Sequence, residues 1–253
     1  MPVRASLIAF DEAMHMPSLT PKTWNELNDV LWENSADGDR YRPYVAFRGL
    51  PIYDEKDPLR TGLQRIRNRS RKRGQLTPPA DLNRLERRLI DTFRQYAREH
   101  YPHRDLESDW DVLALGRHYL LPTRFLDWTS SPHVALFFVI EDESKWDEDG
   151  VIWWACRNKT RDLLPKDLKK ALETRQTYFF TIQHFKSLGY RNVEDFDDKH
   201  GADPALVWLE PAAISQRIVN QYACFSVMPG VSTLHSDWLG SRRLPEVSGY
   251  PKR

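Results

Sequence analysis

Residues 113–139 combine buried-type apolar side chains with more polar chemistry than a packed element needs. The run LALGRHYLLPTRFLDWTSSPHVALFFV places arginines, histidines, an aspartate, a tryptophan and several hydroxyl groups among leucines, phenylalanines and valines. Burying such polar groups is costly unless each has a partner. The run therefore predicts a polar site mounted on a packed scaffold, which is how a binding or catalytic site is built.

Spacing and capping residues predict the main helices. An apolar stripe predicts a helix over residues 81–99. Ser108 or Asp109 is expected to cap a second helix, and Ser131 with Pro132 to begin a third. Two further helices are predicted, one after Thr20 and Pro21 and one over residues 165–172, while residues 177–188 fit either a helix or a strand.

Apolar runs predict four strands, over residues 44–47, 151–156, 206–209 and 222–228. Arg48 and Gly49 are expected to end the first of these strands at a cleft. The chain has 253 residues, 40% of them hydrophobic, which suffices for a large core. We predict an α+β fold, with an N-terminal helical flank over residues 1–40 and a single mixed-sheet domain with surrounding helices over residues 41–253.

Cysteine content and hydropathy argue against several classes of protein. Cys156 and Cys224 both lie in apolar strand-like segments, which argues against a disulfide framework and a zinc site. The pair His100 and His103 lacks a third ligand nearby, so no metal site is expected. No apolar run approaches about 18 residues, and no export signal is visible, so we expect a cytoplasmic protein without a membrane segment.

Two motifs in this order carry a family resemblance. Phe47-Arg48-Gly49 is followed about seventy residues later by His118-Tyr-Leu-Leu-Pro-Thr-Arg-Phe-Leu-Asp-Trp-Thr-Ser-Ser-Pro132, and a third element spans residues 216–225. The chain resembles the FRG-domain family, named for the first tripeptide, over about residues 42–227. It departs from the usual family pattern at Arg117 and Leu120, where glutamine and glycine are common.

The order of these elements is also similar to that of ADP-ribosyltransferases, which bind and cleave NAD. This resemblance implies an ADP-ribosyltransferase-like architecture with NAD as the substrate. It implies that Arg48 holds NAD through its phosphates or ribose and that Thr129 and Ser130 support the nicotinamide end. Gln221 falls in the third family motif and would contact the ligand.

The residues themselves suggest the same division of roles. No glycine-rich phosphate loop is present, so side chains would have to bind the phosphates. Arg48 and Arg124 are the natural candidates, because a guanidinium can bind a phosphate through two parallel hydrogen bonds. The alternative for Arg124 is a salt bridge, for example to Asp127. Cleavage of NAD needs a carboxylate beside the ribosyl cation.

Glu210 is the first candidate for that carboxylate and Asp127 the second. His118 could act as acid or base.

We therefore expect a nucleotide-binding, ADP-ribosyl-transferring or NAD-cleaving enzyme, such as a bacterial toxin or antiphage protein with a protein partner or antitoxin. The alternative is a noncatalytic nucleotide- or nucleic-acid-sensing module of a bacterial stress or defence system. The basic run from Arg65 to Arg73 would then contact nucleic-acid phosphates. A third hypothesis is a hydrolase that uses Ser130 with His118 or His133.

Overall fold

A mixed sheet of eight strands organises the part of the chain that the structure, a computed structural model, describes. That part comprises residues 5–9, 18–37, 40–41, 45–53, 59–66, 79–210 and 220–241. Helices surround the sheet, so the predicted α+β class is confirmed.

The strands are, in chain order, β1 (Ala5–Ala9), β2 (Ser18–Leu19), β3 (Ala36–Asp37), β4 (Arg40–Tyr41), β5 (Val45–Leu50), β6 (Leu126–Thr129), β7 (Gly150–Cys156), β8 (Phe180–Thr181), β9 (Val207–Glu210) and β10 (Ala223–Val227). The helices are α1 (Trp24–Ser35), α2 (Pro79–His100), α3 (Asp109–His118), α4 (Pro132–Ile140), α5 (Arg157–Asp162), α6 (Lys166–Thr174), α7 (Ile182–Ser187), α8 (Val193–His200) and α9 (His235–Ser241).

Strand order across the sheet is β2-β1-β7-β5-β6-β10-β9-β8, with β3 and β4 forming a separate pair. β5 is antiparallel to both of its neighbours, whereas β1 with β7 and β8 with β9 are parallel. β5 pairs with β7 along its whole length but with β6 only at Phe47 and Thr129. The two central strands therefore separate beyond this single pair.

Both faces of the sheet are covered by apolar side chains. On one face, Val45, Phe47 and Ile152 pack with Leu31 of α1 and Leu136 of α4. A larger cluster includes residues of α3, α6, α7 and α8, together with Trp128 and Trp153 from the sheet. Because β5 is buried on both faces, a polar side chain on this strand costs free energy unless it has a bonding partner.

Gly49 allows α4 to lie directly on β5. A Cβ atom at this position would overlap the backbone carbonyl oxygen of Ala135. Gly150 on the neighbouring strand is also crowded, since a Cβ there would lie 2.4 Å from a side-chain carbon of Val139 if nothing moved. Glycine at position 49 thus sets the distance between the sheet and the helix that follows β6.

Most of the predicted elements are present, with three differences. β5 continues through Arg48 and Gly49 instead of ending at them. Thr23, not Thr20, caps α1, because its hydroxyl accepts a 3.2 Å hydrogen bond from the backbone N–H of Glu26. Residues 177–188 contain both a strand and a helix, β8 and α7.

Residues 1–40 contribute more than helix. β1 and β2 join the main sheet beside β7, and α1 packs on the face that α4 covers. These strands were not predicted, and the boundary near residue 40 stays a prediction.

Candidate functional site

The site lies where β5 and β6 separate, between the C-terminal ends of α3 and α4. A cavity of about 370 Å³ opens there, which is within the usual size range of small-molecule sites. The cavity is lined by Phe47, Arg48, Gly49, Leu50, Pro51, Arg117, His118, Leu120, Asp127, Trp128, Thr129, Phe138, Glu141, Gln221, Ala223 and Phe225. It has an apolar wall of aromatic rings and a small set of ionisable groups.

Arg48 is the most deeply buried cation of this cavity, with 11% of its side chain exposed. Its Nη1 donates a 2.7 Å hydrogen bond to the carbonyl oxygen of Asp127, while the carboxylate of Asp127 lies 3.9 Å away. Within the described residues, Nε of Arg48 is buried without a hydrogen-bond partner. The guanidinium therefore has unused donor capacity and no carboxylate of its own.

The pKa of Arg48 is lowered to about 10, chiefly by burial; the charge of Asp127 opposes this shift, and the positive charges of Arg65 and Arg117 add to it. The group still carries its charge at neutral pH. A charge that burial disfavours is stabilised when an anion enters beside it. These are the electrostatic properties of an anion anchor.

Asp127 is held by Arg117 from the last turn of α3. Nε of Arg117 lies 2.8 and 2.9 Å from the two carboxylate oxygens, and Nη2 donates a further hydrogen bond to Oδ2. Burial alone would lower the pKa of Arg117, but the hydrogen bonds and charge of Asp127 raise it above its ordinary value. Sequence reasoning noticed Arg117 only as a departure from the family pattern.

An unusual helix end places Arg117 at the cavity. Leu120 has φ of 61° and is 78% exposed, although this left-handed conformation favours glycine. The N–H of Leu120 donates to the carbonyl of Arg117, and the N–H of Leu121 donates to that of Gly116. This is a Schellman motif with leucine at the position where glycine is usual.

Other predicted residues also line the cavity. The hydroxyl of Thr129 donates a 2.7 Å hydrogen bond to the carbonyl of Gln221 and accepts one from the N–H of Ser131. Thr129 thus fixes the wall between β6 and the start of β10. His118 contributes a partly buried imidazole, and Glu141, which sequence reasoning missed, supplies a second carboxylate at the end of α4.

Arg124 is outside the cavity, in a closed ion-pair triad. Its guanidinium donates to the carboxylates of Glu86, at 2.5 to 3.1 Å, and of Asp197, at 2.6 and 2.9 Å. Burial alone would lower the pKa of Arg124, but these two carboxylates raise it above its ordinary value. The geometry matches the salt-bridge alternative, although the partners are Glu86 and Asp197 instead of Asp127.

Ser130 and Glu210 are also outside the cavity, near a second buried arginine. Nη2 of Arg157 donates a 3.0 Å hydrogen bond to the hydroxyl of Ser130, and its guanidinium lies over the ring of Phe179. Burial lowers the pKa of Arg157, and the neighbouring Cys224 and Glu210 partly offset this shift. Arg157 directly follows the buried strand β7. Polar residues at strand ends often belong to functional sites, and this position was therefore a signal in the sequence that sequence reasoning did not use.

Several predictions fall partly or wholly beyond the described residues. Of the basic run from Arg65 to Arg73, only residues 65 and 66 are described, and the third family motif is described only from Asn220 onward. Within the described part, no helix is long and apolar enough to cross a membrane. The same residues contain no group of three or more His, Cys, Asp or Glu that could hold a metal ion.

Comparison with known proteins gives one match. Residues 43–148 match the model of the FRG domain, which confirms the predicted resemblance over this part of the chain and covers the first two motifs. The comparisons found no significant match among curated proteins or among solved structures. The similarity to ADP-ribosyltransferases stays a prediction.

Proposed function

We propose that this chain, whose residues 43–148 match the model of the FRG domain, binds NAD or a related nucleotide in the cavity at β5 and β6 and transfers or hydrolyses the ADP-ribosyl group. The observation that supports this best is that both kinds of charge line one cavity: Arg48 and Arg117 with Asp127 and Glu141. NAD carries both charges, on its pyrophosphate and on its nicotinamide ring.

The chemistry assigns a role to each charge. An arginine fork pairs with a phosphate through parallel charge-assisted hydrogen bonds. A carboxylate stabilises the oxocarbenium-like ribosyl centre that forms as nicotinamide leaves. The C-terminal ends of α3 and α4 carry partial negative charge, which also favours a cation at this place.

We assign Arg48 to the anionic part of the ligand and Asp127 to the ribosyl centre. His118 is positioned to accept a proton from an acceptor or from water. Thr129 and Gln221 form the polar wall, and the rings of Phe47, Trp128 and Phe225 limit access of water. Arg124, Ser130 and Glu210 have no contact role in this assignment, because none of them lines the cavity.

The direct test is to incubate the purified chain with NAD and candidate acceptors, namely water, nucleic acid and protein. Nicotinamide release is followed by chromatography, and modification of the acceptor by mass spectrometry. We expect release of nicotinamide with at least one acceptor. Absence of release with every acceptor, from a folded protein that also fails to bind NAD or ADP-ribose, would refute the proposal.

Two carboxylate variants identify the acting group. Asp127→Asn should abolish nicotinamide release, since it removes the charge beside the ribosyl centre. Glu210→Gln is the matched control, because Glu210 is exposed and lies outside the cavity. Loss of activity in Glu210→Gln with activity retained in Asp127→Asn would reverse the assignment.

A second candidate is a noncatalytic nucleotide sensor. The observation that favours it is the hold of Arg117 on Asp127, which occupies both carboxylate oxygens. Binding of ADP-ribose without any release of nicotinamide from NAD would support this candidate. If the basic run contacts nucleic acid instead, binding should weaken steeply as salt rises.

Toxicity and defence are consequences to be tested in cells. If the chain consumes NAD in the cytoplasm, expression in bacteria should slow growth, and Asp127→Asn should remove that effect. A protein partner or antitoxin would then be needed for expression of the active form. Equal growth with the active chain and with Asp127→Asn would speak against a toxin.

A further inference from the structure

Two arginines share one carboxylate in the cavity. Arg117 binds both oxygens of Asp127, whereas Arg48 reaches that carboxylate only at 3.9 Å and otherwise donates to the backbone. A guanidinium carries five N–H donors, and two parallel bonds to one anion use only part of them. The pair therefore has an excess of one positive charge and of several donors.

Both arginines line the cavity and keep donors that have no partner among the described residues. Nε of Arg48 has no partner among the described residues, and in the same part of the chain Nη1 of Arg117 makes no hydrogen bond. Both side chains line the cavity, and both approach the same carboxylate oxygen, Oδ2 of Asp127. An anion that entered here could reach both.

We propose that Arg48 and Arg117 form a clamp for a pyrophosphate or a doubly charged phosphate group, and that Asp127 holds Arg117 in place until that anion enters. The inference rests on the proposed function of the cavity and extends it in two ways. It names Arg117 as a second ligand-binding residue. It also makes Asp127 a competitor of the anion for Arg117.

The exchange is feasible because the two arginines differ in freedom. Arg48 is fixed within a strand that is paired with β7 along its length. Arg117 lies at the end of α3 and its side chain is 24% exposed, so it can change rotamer without opening the core. Asp127 is 34% exposed, so water can solvate its carboxylate when Arg117 leaves.

This exchange would couple binding to chemistry. While Arg117 holds both oxygens, the charge of Asp127 is compensated and gives little stabilisation to a ribosyl cation. Once the pyrophosphate takes Arg117, the carboxylate is released beside the bound ligand. A nucleoside without a phosphate would fail to release it.

The test is isothermal titration of inorganic pyrophosphate into the full chain. We expect Arg117→Gln to weaken binding about tenfold or more, since a charge-assisted fork is lost. Arg117→Lys should weaken it as well, because lysine lacks the planar fork. Arg88→Gln is the matched control: Arg88 is exposed on α2 and does not line the cavity, so affinity should stay within about twofold.

The variant Asp127→Asn gives the decisive result. If the carboxylate competes for Arg117, its removal should tighten pyrophosphate binding several-fold, an outcome that damage to the fold would not produce. Unchanged or weaker binding in Asp127→Asn, or unchanged binding in Arg117→Gln, would overturn the clamp.

The clamp and the proposed function can fail separately. If Arg48→Gln abolishes binding of pyrophosphate while Arg117→Gln has no effect, the clamp is wrong and the anion site at Arg48 stands. If the unaltered chain binds neither pyrophosphate nor ADP-ribose, both are wrong. Melting curves of each variant confirm that the protein titrated is folded.

Discussion

Two buried arginines in this chain have opposite surroundings. Arg124 is enclosed by two carboxylates, whereas Arg48 shares a carboxylate that another arginine already holds. Removing Arg48 therefore leaves no buried anion without a partner. We expect Arg48→Ala to change the free energy of unfolding by less than about 1 kcal/mol and to abolish ligand binding. Urea unfolding and titration with ADP-ribose measure the two effects.

Arg124→Ala is the control for that prediction. This substitution leaves the carboxylate of Glu86, whose side chain is 1% exposed, without its ion-pair partner, and it removes the main partner of Asp197. Breaking a buried ion pair in this way costs about 3–5 kcal/mol. If Arg48→Ala destabilised the chain as much as Arg124→Ala, the assignment of Arg48 to the ligand would be wrong.

The sequence alone predicted both arginines as ligand contacts and could not separate them. The partners of Arg124 lie 38 and 73 residues away along the chain, so no local pattern reveals them. Asp127, only three residues from Arg124, was the obvious local partner and is instead held by Arg117. The residue types predicted that arginines would bind the ligand. Contacts between residues distant in the sequence decided that Arg48, and not Arg124, is available for this role.

At the scale of the secondary structure, the end of α3 carries strain that a substitution can relieve. A left-handed backbone at a residue with a side chain costs roughly 1–2 kcal/mol relative to a relaxed conformation, and glycine avoids most of this. Leu120 is largely exposed, so little burial is lost on its removal. We expect Leu120→Gly to raise the free energy of unfolding by about 1 kcal/mol, which corresponds to about 2–4 °C in Tm.

Leu120→Ala keeps the strained backbone and removes the same apolar side chain. It should therefore give no gain, and a similar gain in both variants would show that the side chain, not the backbone, is responsible. Scanning calorimetry compares the three proteins.

The packing of α4 on β5 is a second property at this scale. Gly49→Ala places a methyl group against the carbonyl of Ala135, so the helix must move or the strand must bend. We expect a loss of about 3 kcal/mol in the free energy of unfolding. Gly62→Ala is the comparison, since a Cβ there lies 3.2 Å from Pro122, a tight contact but not an overlap. A milder effect at position 49 than at 62 would contradict this account.

Local signals predicted the elements that have local causes. Ser108 and Ser131 cap α3 and α4 as expected, because a capping side chain acts within three residues of itself. β1 and β2 had no such signal. β1 pairs with β7 and with β2, and these pairings depend on tertiary structure, which no local pattern reveals. β8 has only two residues, and its extended conformation depends on its parallel pairing with β9.

For the molecule as a whole, one buried imidazole should control stability at acidic pH. Burial lowers the pKa of His235 from 6.5 to about 4, with the backbone of Ser226 opposing this and the charge of Arg48 adding to it. The unfolded chain then takes up a proton first as the pH falls. Stability is full above about pH 6.5 and is lost progressively towards pH 4, by about 3 kcal/mol in total.

His235→Leu removes the titrating imidazole and replaces it with an apolar side chain of similar length. Urea unfolding at pH 7.5 and pH 5.0 should show a smaller difference for this variant than for the unaltered chain. His200 also has a pKa lowered by burial, so some dependence on pH should remain. An equal dependence in both proteins would exclude His235 as its source.

The single registered pair between β5 and β6 has a mechanical consequence. It divides the sheet into two half-sheets, β2-β1-β7-β5 and β6-β10-β9-β8. Within the described residues, Phe47 and Thr129 form the one register pair at their common border, and the side chain of Arg48 adds a hydrogen bond to the carbonyl of Asp127. Helix α4 contacts strands on both sides of this border and acts as a brace across it. A ligand seated between the half-sheets would act as a second brace, so it should slow amide hydrogen exchange in strands that it does not touch.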